Sequence, residues 1–146
     1  MLFSTSKDGD SSLTFHKYCD GESPTVIIVR DTSGIKFGGY STQSWSQSTC
    51  GASNSRAPCS FIFNLSNKKR YDLIDQLNTS AIGRSNTYGP TFGEGHDLYI
   101  SDECRSNANS KCKKSSYNTG NNNLFVLSGS TNFQVSIYEV FKVVFE

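Results

Sequence analysis

The segment from Phe15 to Trp45, FHKYCDGESPTVIIVRDTSGIKFGGYSTQSW, constrains the fold more than any other part of the chain. Thr25 to Arg30 (TVIIVR) is a continuous β-branched run, the pattern of a strand covered on both faces. Asp31 to Gly34 reads as a turn, and Ile35 to Tyr40 resumes a strand that Gly38-Gly39 interrupts. Two glycines inside a strand point to a bulge or to the close approach of another group. Ahead of this pair, Phe15 and Cys19 fall on one face of a helix that starts at Asp10 or Ser11 and stops at Asp20-Gly21. These are packing and backbone positions, so the segment describes a scaffold rather than chemistry.

The remaining elements agree with that scaffold. Leu2-Phe3 reads as an edge strand, and Cys59 to Leu65, His96 to Ile100 and Leu124 to Leu127 as further strands. Phe133 to Phe145 alternates apolar and polar residues, with a phase change near Tyr138-Glu139 that implies a bulge. Asn67 to Leu77 reads as a helix with Tyr71, Ile74 and Leu77 spaced i, i+3, i+6. The triplet Lys68-Lys69-Arg70 then lies in its first turn, the unfavourable end for positive charge. Short strands dominate and no strand–helix alternation is sustained, so the expected fold is a mostly antiparallel two-sheet β-sandwich with flanking helices. At 146 residues one domain is expected. Hydrophobic residues make up only 35%, but ten Phe and seven Tyr supply large buried areas.

A net charge of +1 gives no global attraction to nucleic acid or to an anionic membrane. No apolar run reaches the roughly 20 residues of a spanning helix, and the start, MLFSTSKDGD, has neither the basic nor the apolar region of a secretory signal. The expected location is cytoplasmic, where the five cysteines stay thiols. Cys19 and Cys59 are expected to pack as small hydrophobes, whereas Cys50, Cys104 and Cys112 lie in polar, exposed stretches. The cysteine spacings are too wide for a structural zinc site. Thr91-Phe92-Gly93-Glu94-Gly95 lacks the Lys-Ser/Thr and helix start of a phosphate loop. No metal and no cofactor are expected.

A few groups can carry function, each against a plainer role. His16 and Cys19, one turn apart, suit a base–nucleophile pair or a packed core. Glu94, His96 and Asp97 suit acid–base chemistry or a tight turn in which Asp97 caps backbone N–H groups. Glu94, between two glycines, is the exposed member. Cys112, beside Lys111, Lys113 and Lys114, is the redox candidate. Those lysines are equally a contact for an acidic partner, for nucleic acid, or a solvated face. Trp45 is an aromatic anchor for a partner or a residue closing the core. The loops Ser46–Pro58, Gly89–Gly95 and Asp102–Asn123 are the places to look for contacts.

Four ordered segments, SKDGDSSLTFHKYCDG (Ser6–Gly21), SPTVIIVRDTSGIKFGGYSTQSW (Ser23–Trp45), GPTFGEGHDLYI (Gly89–Ile100) and FQVSIYEVFKV (Phe133–Val143), resemble the TLDc domain of the oxidation-resistance protein family. FGGY with the trailing Trp is the most specific part. The resemblance covers nearly the whole chain and implies a two-sheet sandwich. It also implies a non-catalytic interaction module for oxidative-stress resistance or for regulation of the vacuolar proton-pumping ATPase, with subunits of that pump as partners; the chain itself is expected to be a monomer. The expected domain is 1–146, without the N-terminal helical segment that modules of this kind often carry. Against it stand a hydrolase-like or redox enzyme built on the Cys/His or Glu/His groups, and nucleic-acid binding through the lysine-rich loop.

Overall fold

The computed structural model describes residues 1–47, 54–120 and 127–146. Among these residues, twelve strands form two six-stranded antiparallel sheets. The first sheet has the order β1 (Phe3–Ser4), β12 (Val135–Lys142), β2 (Thr25–Asp31), β3 (Lys36–Ser41), β5 (Phe61–Asn64), β6 (Lys69–Asp72). The second has the order β11 (Asn132–Phe133), β10 (Ser110–Lys111), β9 (Leu98–Tyr99), β8 (Thr91–Phe92), β7 (Ile82–Gly83), β4 (Asn54–Ser55). Two short helices, α1 (Thr5–Asp8) and α2 (Ser12–Cys19), complete the fold. The expected two-sheet β-sandwich is the observed architecture.

The helix expected up to Cys19 is α2, with Ser11 as its N-cap. Its free N-terminal N–H groups need acceptors. One comes from far along the chain, since Ser12 N–H donates to Asp102 Oδ1 at 2.7 Å. Phe15 and Cys19 are fully buried on the inner face, which seats α2 against the core.

The double glycine is explained by close approach. Pairing of β2 with β3 runs without a break from Thr25↔Ser41 to Arg30↔Lys36, so there is no bulge. A Cβ on Gly39 would lie 2.4 Å from Cζ of Phe92, which reaches across from the second sheet. A Cβ on Gly38 would meet the Ile27 carbonyl oxygen at 1.8 Å, and the Phe63 ring covers the space it leaves. Phe92 in turn packs edge-on against Trp45, with ring centroids 5.3 Å apart, and Trp45 against Phe15 at 6.0 Å. Phe15 meets Phe3 and Tyr138, so one run of aromatic rings crosses the core from sheet to sheet.

Several expectations are corrected. Residues 67–77 are not a helix. Lys68, at φ 59°, turns the chain back so that Lys69–Asp72 pairs with β5 as β6. Leu73 is buried, whereas Ile74 and Leu77 are 61% and 66% exposed, so the i, i+3, i+6 spacing marks no buried face. The β12 irregularity falls between Val135 and Ile137 rather than at Tyr138-Glu139. The extra residue there puts both Val135 and Tyr138 inward. β2 buries only alternate residues, and Val26, Ile28 and Arg30 face outward. The strand expected at 124–127 and the loop containing Cys50 lie largely outside the described residues.

The Gly39–Phe92 contact makes a stability prediction. Gly39→Ala should destabilise the fold by roughly 1–3 kcal/mol through overpacking. In urea unfolding, pairing it with Phe92→Leu should cost less than the sum of the two single changes. Strict additivity would mean that the two positions do not share the space.

Candidate functional site

The connection from β8 to β9 is a tight turn fixed from beneath by one buried carboxylate. Asp97 is 2% exposed and accepts the N–H groups of Ser115, Ser116 and Tyr117 at 2.9, 2.8 and 3.0 Å. Burial pushes its carboxyl up, and the three amide donors work against that shift. The same two segments are cross-stitched. Glu94 N–H donates to Ser116 Oγ, Gly95 N–H to Ser115 Oγ, and Lys113 N–H to the His96 carbonyl. Gly93 must be glycine here, because its φ is +86° and a Cβ would stand 1.8 Å from Asp97 Oδ1. Asp97 thus accepts backbone N–H groups as expected of a capping carboxylate, but from residues 115–117 rather than from its own turn.

This arrangement leaves Glu94 exposed at the tip of the turn. His96 does not join it. The imidazole stacks on Tyr99 with ring centroids 4.6 Å apart, and its pKa is lowered first by burial and then by the Lys111 charge. Lys111 Nζ lies 5.8 Å from the Tyr99 ring centre. Lys113 is exposed, and Lys114 Nζ donates to the Gly120 carbonyl. Ile74 N–H bonds to the Ser116 carbonyl at 3.0 Å. That tie brings the exposed Ile74, with Leu77 close behind it in sequence, beside the segment that cradles Asp97. Sequence reasoning missed this apolar flank because it assigned both residues to a helix. The basic triplet at that helix's wrong end was the available signal.

The other candidate groups are spent on structure. His16 sits 2.7 Å from Asp20 through Nδ1, and 2.8 and 3.1 Å from the Ser85 and Tyr88 carbonyls through Nε2. Both ring nitrogens are thus engaged by Asp20 and by the Ser85 and Tyr88 carbonyls. The Cys19 thiol is fully buried and pushed up to about 12, chiefly by that burial. Trp45 is fully buried, and its Nε1 donates to Thr25 Oγ1 at 3.0 Å, so it closes the core and is no surface anchor. Cys104 and Cys112, expected to be exposed, are buried. Burial raises the Cys112 thiol, whose Sγ donates to the Ser130 carbonyl. Cys59, expected to be packed, is the exposed thiol among the described residues. Those residues hold no group of three or more His, Cys, Asp or Glu suited to a metal ion, and no helix long and apolar enough to cross a membrane.

Comparison with known proteins adds two findings. The model of the TLDc domain family matches residues 1–144. Over 45 residues, 31% of this chain, the sequence is 49% identical to the MTOR-associated protein MEAK7 of Danio rerio. That match spans 10% of the relative's length.

Asp97→Ala should strand the buried N–H groups of Ser116 and Tyr117 and free that of the exposed Ser115, at a cost of at least about 2 kcal/mol, while Glu94→Gln should leave thermal stability unchanged. Equal melting temperatures for the two variants would dismiss the cradle. In a Cys50→Ser background, one thiol of the four described, Cys59, should react promptly with a disulfide reagent at neutral pH. Prompt reaction of Cys19 or Cys112 would contradict their burial.

Proposed function

The chain belongs to the TLDc domain family, and from that premise we propose that it is a non-catalytic protein-interaction module whose contact surface is centred on Glu94. The observation that carries this reading is the Asp97 cradle. It uses a buried carboxylate and three amide donors to fasten residues 115–117 to the turn that carries the exposed Glu94. A rigid, preorganised contact loses little entropy when a partner binds. Lys111, Lys113 and Lys114 add positive charge beside the turn, and Ile74 adds exposed apolar area. This mixture of charged rim and apolar flank suits a protein surface. An enzyme reading has less support, since His16 and Cys19 are committed to packing and Glu94 stands apart from His96.

The TLDc resemblance favours a role in resistance to oxidative damage or in regulating the vacuolar proton-pumping ATPase, with its subunits as partners in the cytoplasm. The relative's name associates that protein with MTOR, which makes an MTOR-containing assembly the second partner to examine. In affinity capture from cytosol, the wild-type chain should recover subunits of the pump or of the MTOR assembly. Glu94→Lys should reduce that recovery by about tenfold or more through like-charge or steric conflict, with an unchanged melting temperature. Equal recovery by the variant would remove Glu94 from the interface, and recovery of neither assembly would count against both partners.

A further inference from the structure

The face of the first sheet turned away from the second is apolar where a solvent-facing sheet is usually polar. Register places Phe141, Val26, Tyr40 and Phe61 side by side across four strands. This row spans roughly 14 Å at ordinary strand spacing. All four side chains are only partly covered. Beside the row, a groove of about 350 Å³ is floored by Ile28 and Ile137 and walled by Arg30, Lys36 and Glu139. The β-branched run of β2 has the composition of a strand covered on both faces, yet Val26 and Ile28 on one face stay partly exposed.

Charge identifies what would cover it. Arg30 and Lys36 are direct cross-strand partners, and both are exposed on this face. Like charges placed opposite each other destabilise a sheet. Neither has an ion-pair partner among the described residues, whereas Arg70 is paired with Asp72 and Lys142 with Glu22. Glu139 supplies a single carboxylate against the two cations. The groove therefore combines an apolar floor with surplus positive charge at one end.

We propose that this face is a second docking surface, separate from the Asp97 turn, and that its occupant is an acidic amphipathic helix of a partner protein. Apolar side chains of the helix lie along the Val26–Tyr40–Phe61 row and over Ile28. Its carboxylates meet Arg30 and Lys36 and relieve their repulsion. A helix of three turns is about 16 Å long, which matches the row.

The test uses two synthetic peptides of about 18 residues with the same leucine stripe, one flanked by Glu and one by Lys. Each is titrated into the isotope-labelled chain while amide resonances are followed. The acidic peptide should bind about tenfold tighter or more than the basic one, shifting amides of β2, β3 and β12. Lys36→Glu turns the like-charge pair into an opposite-charge pair. That variant should keep or raise the melting temperature while weakening the acidic peptide by about tenfold. Equal binding of both peptides, shifts confined to other strands, or unchanged affinity of Lys36→Glu would overturn the proposal. So would self-association in sedimentation that Ile28→Glu abolishes, which would assign the face to a second copy of the chain. Flotation with phosphatidylserine vesicles that Lys36→Glu prevents would assign it to lipid and equally overturn the peptide.

Discussion

The fold depends on a close contact between the two sheets that exists because residue 39 has no side chain. Phe92 of β8 fills the space above Gly39, and Trp45 stands edge-on against the same ring. Through Phe15, Trp45 connects to Phe3 and Tyr138, so the ends of the chain and its middle share one core. The polar edge of Trp45 is satisfied within the core by Thr25 at 3.0 Å. An added methyl group at residue 39 would have to displace a buried aromatic ring that is itself fixed by two others. Close-packed interiors transmit such a displacement rather than absorb it.

The two sheets are stabilised differently. The first has strands of up to eight residues, and its long β12–β2–β3 ladder carries many backbone hydrogen bonds. The second is made of two-residue strands, too short for ladder bonds alone to hold it. Side chains take over that task. Asp97 gathers three N–H groups, and Ser110 Oγ accepts Ser101 N–H at 3.1 Å. The first sheet uses the same device at its β2–β3 turn, where Asp31 Oδ1 accepts the N–H groups of Ser33 and Ile35 and its other oxygen accepts the Ser128 hydroxyl. The Ser- and Asn-rich composition, which gives the chain its low hydrophobic fraction, is thus partly structural. These short side chains bond locally to backbone where regular pairing is absent.

This division also decides what was legible in the sequence. The TVIIVR and FGGY segments have strong local signatures, and both became long strands of the first sheet. Phe15 and Cys19 were legible through helical spacing. Asp97 was legible in part, because a carboxylate after Gly-Glu-Gly-His suggests turn capping, but its donors come from residues 115–117 and no local pattern names them. Tyr71, Ile74 and Leu77 misled because an apolar spacing of three arises by chance in a chain that is turning back on itself. Cys59 and Cys112 exchanged their expected environments for a related reason. Neighbouring polarity predicts exposure only where regular structure sets the alternation, and both lie near loops shaped by distant contacts.

Apart from the exposed Cys59, the thiols and the imidazole singled out for chemistry are built into the fold. The Cys19 and Cys104 thiols are buried and raised to about 12, and His16 is enclosed by acceptors. Left over are groups that do little for the fold: Glu94 at its turn, Ile74 beside it, and the Arg30–Lys36 pair over an apolar groove. Holding two like charges opposite each other, or an apolar row open to water, lowers stability without improving the core. These are the positions that the proposed partners would complete. That distribution, with His16, Cys19 and Cys104 inside and Glu94, Arg30 and Lys36 outside, is what the proposed binding role of this TLDc domain rests on.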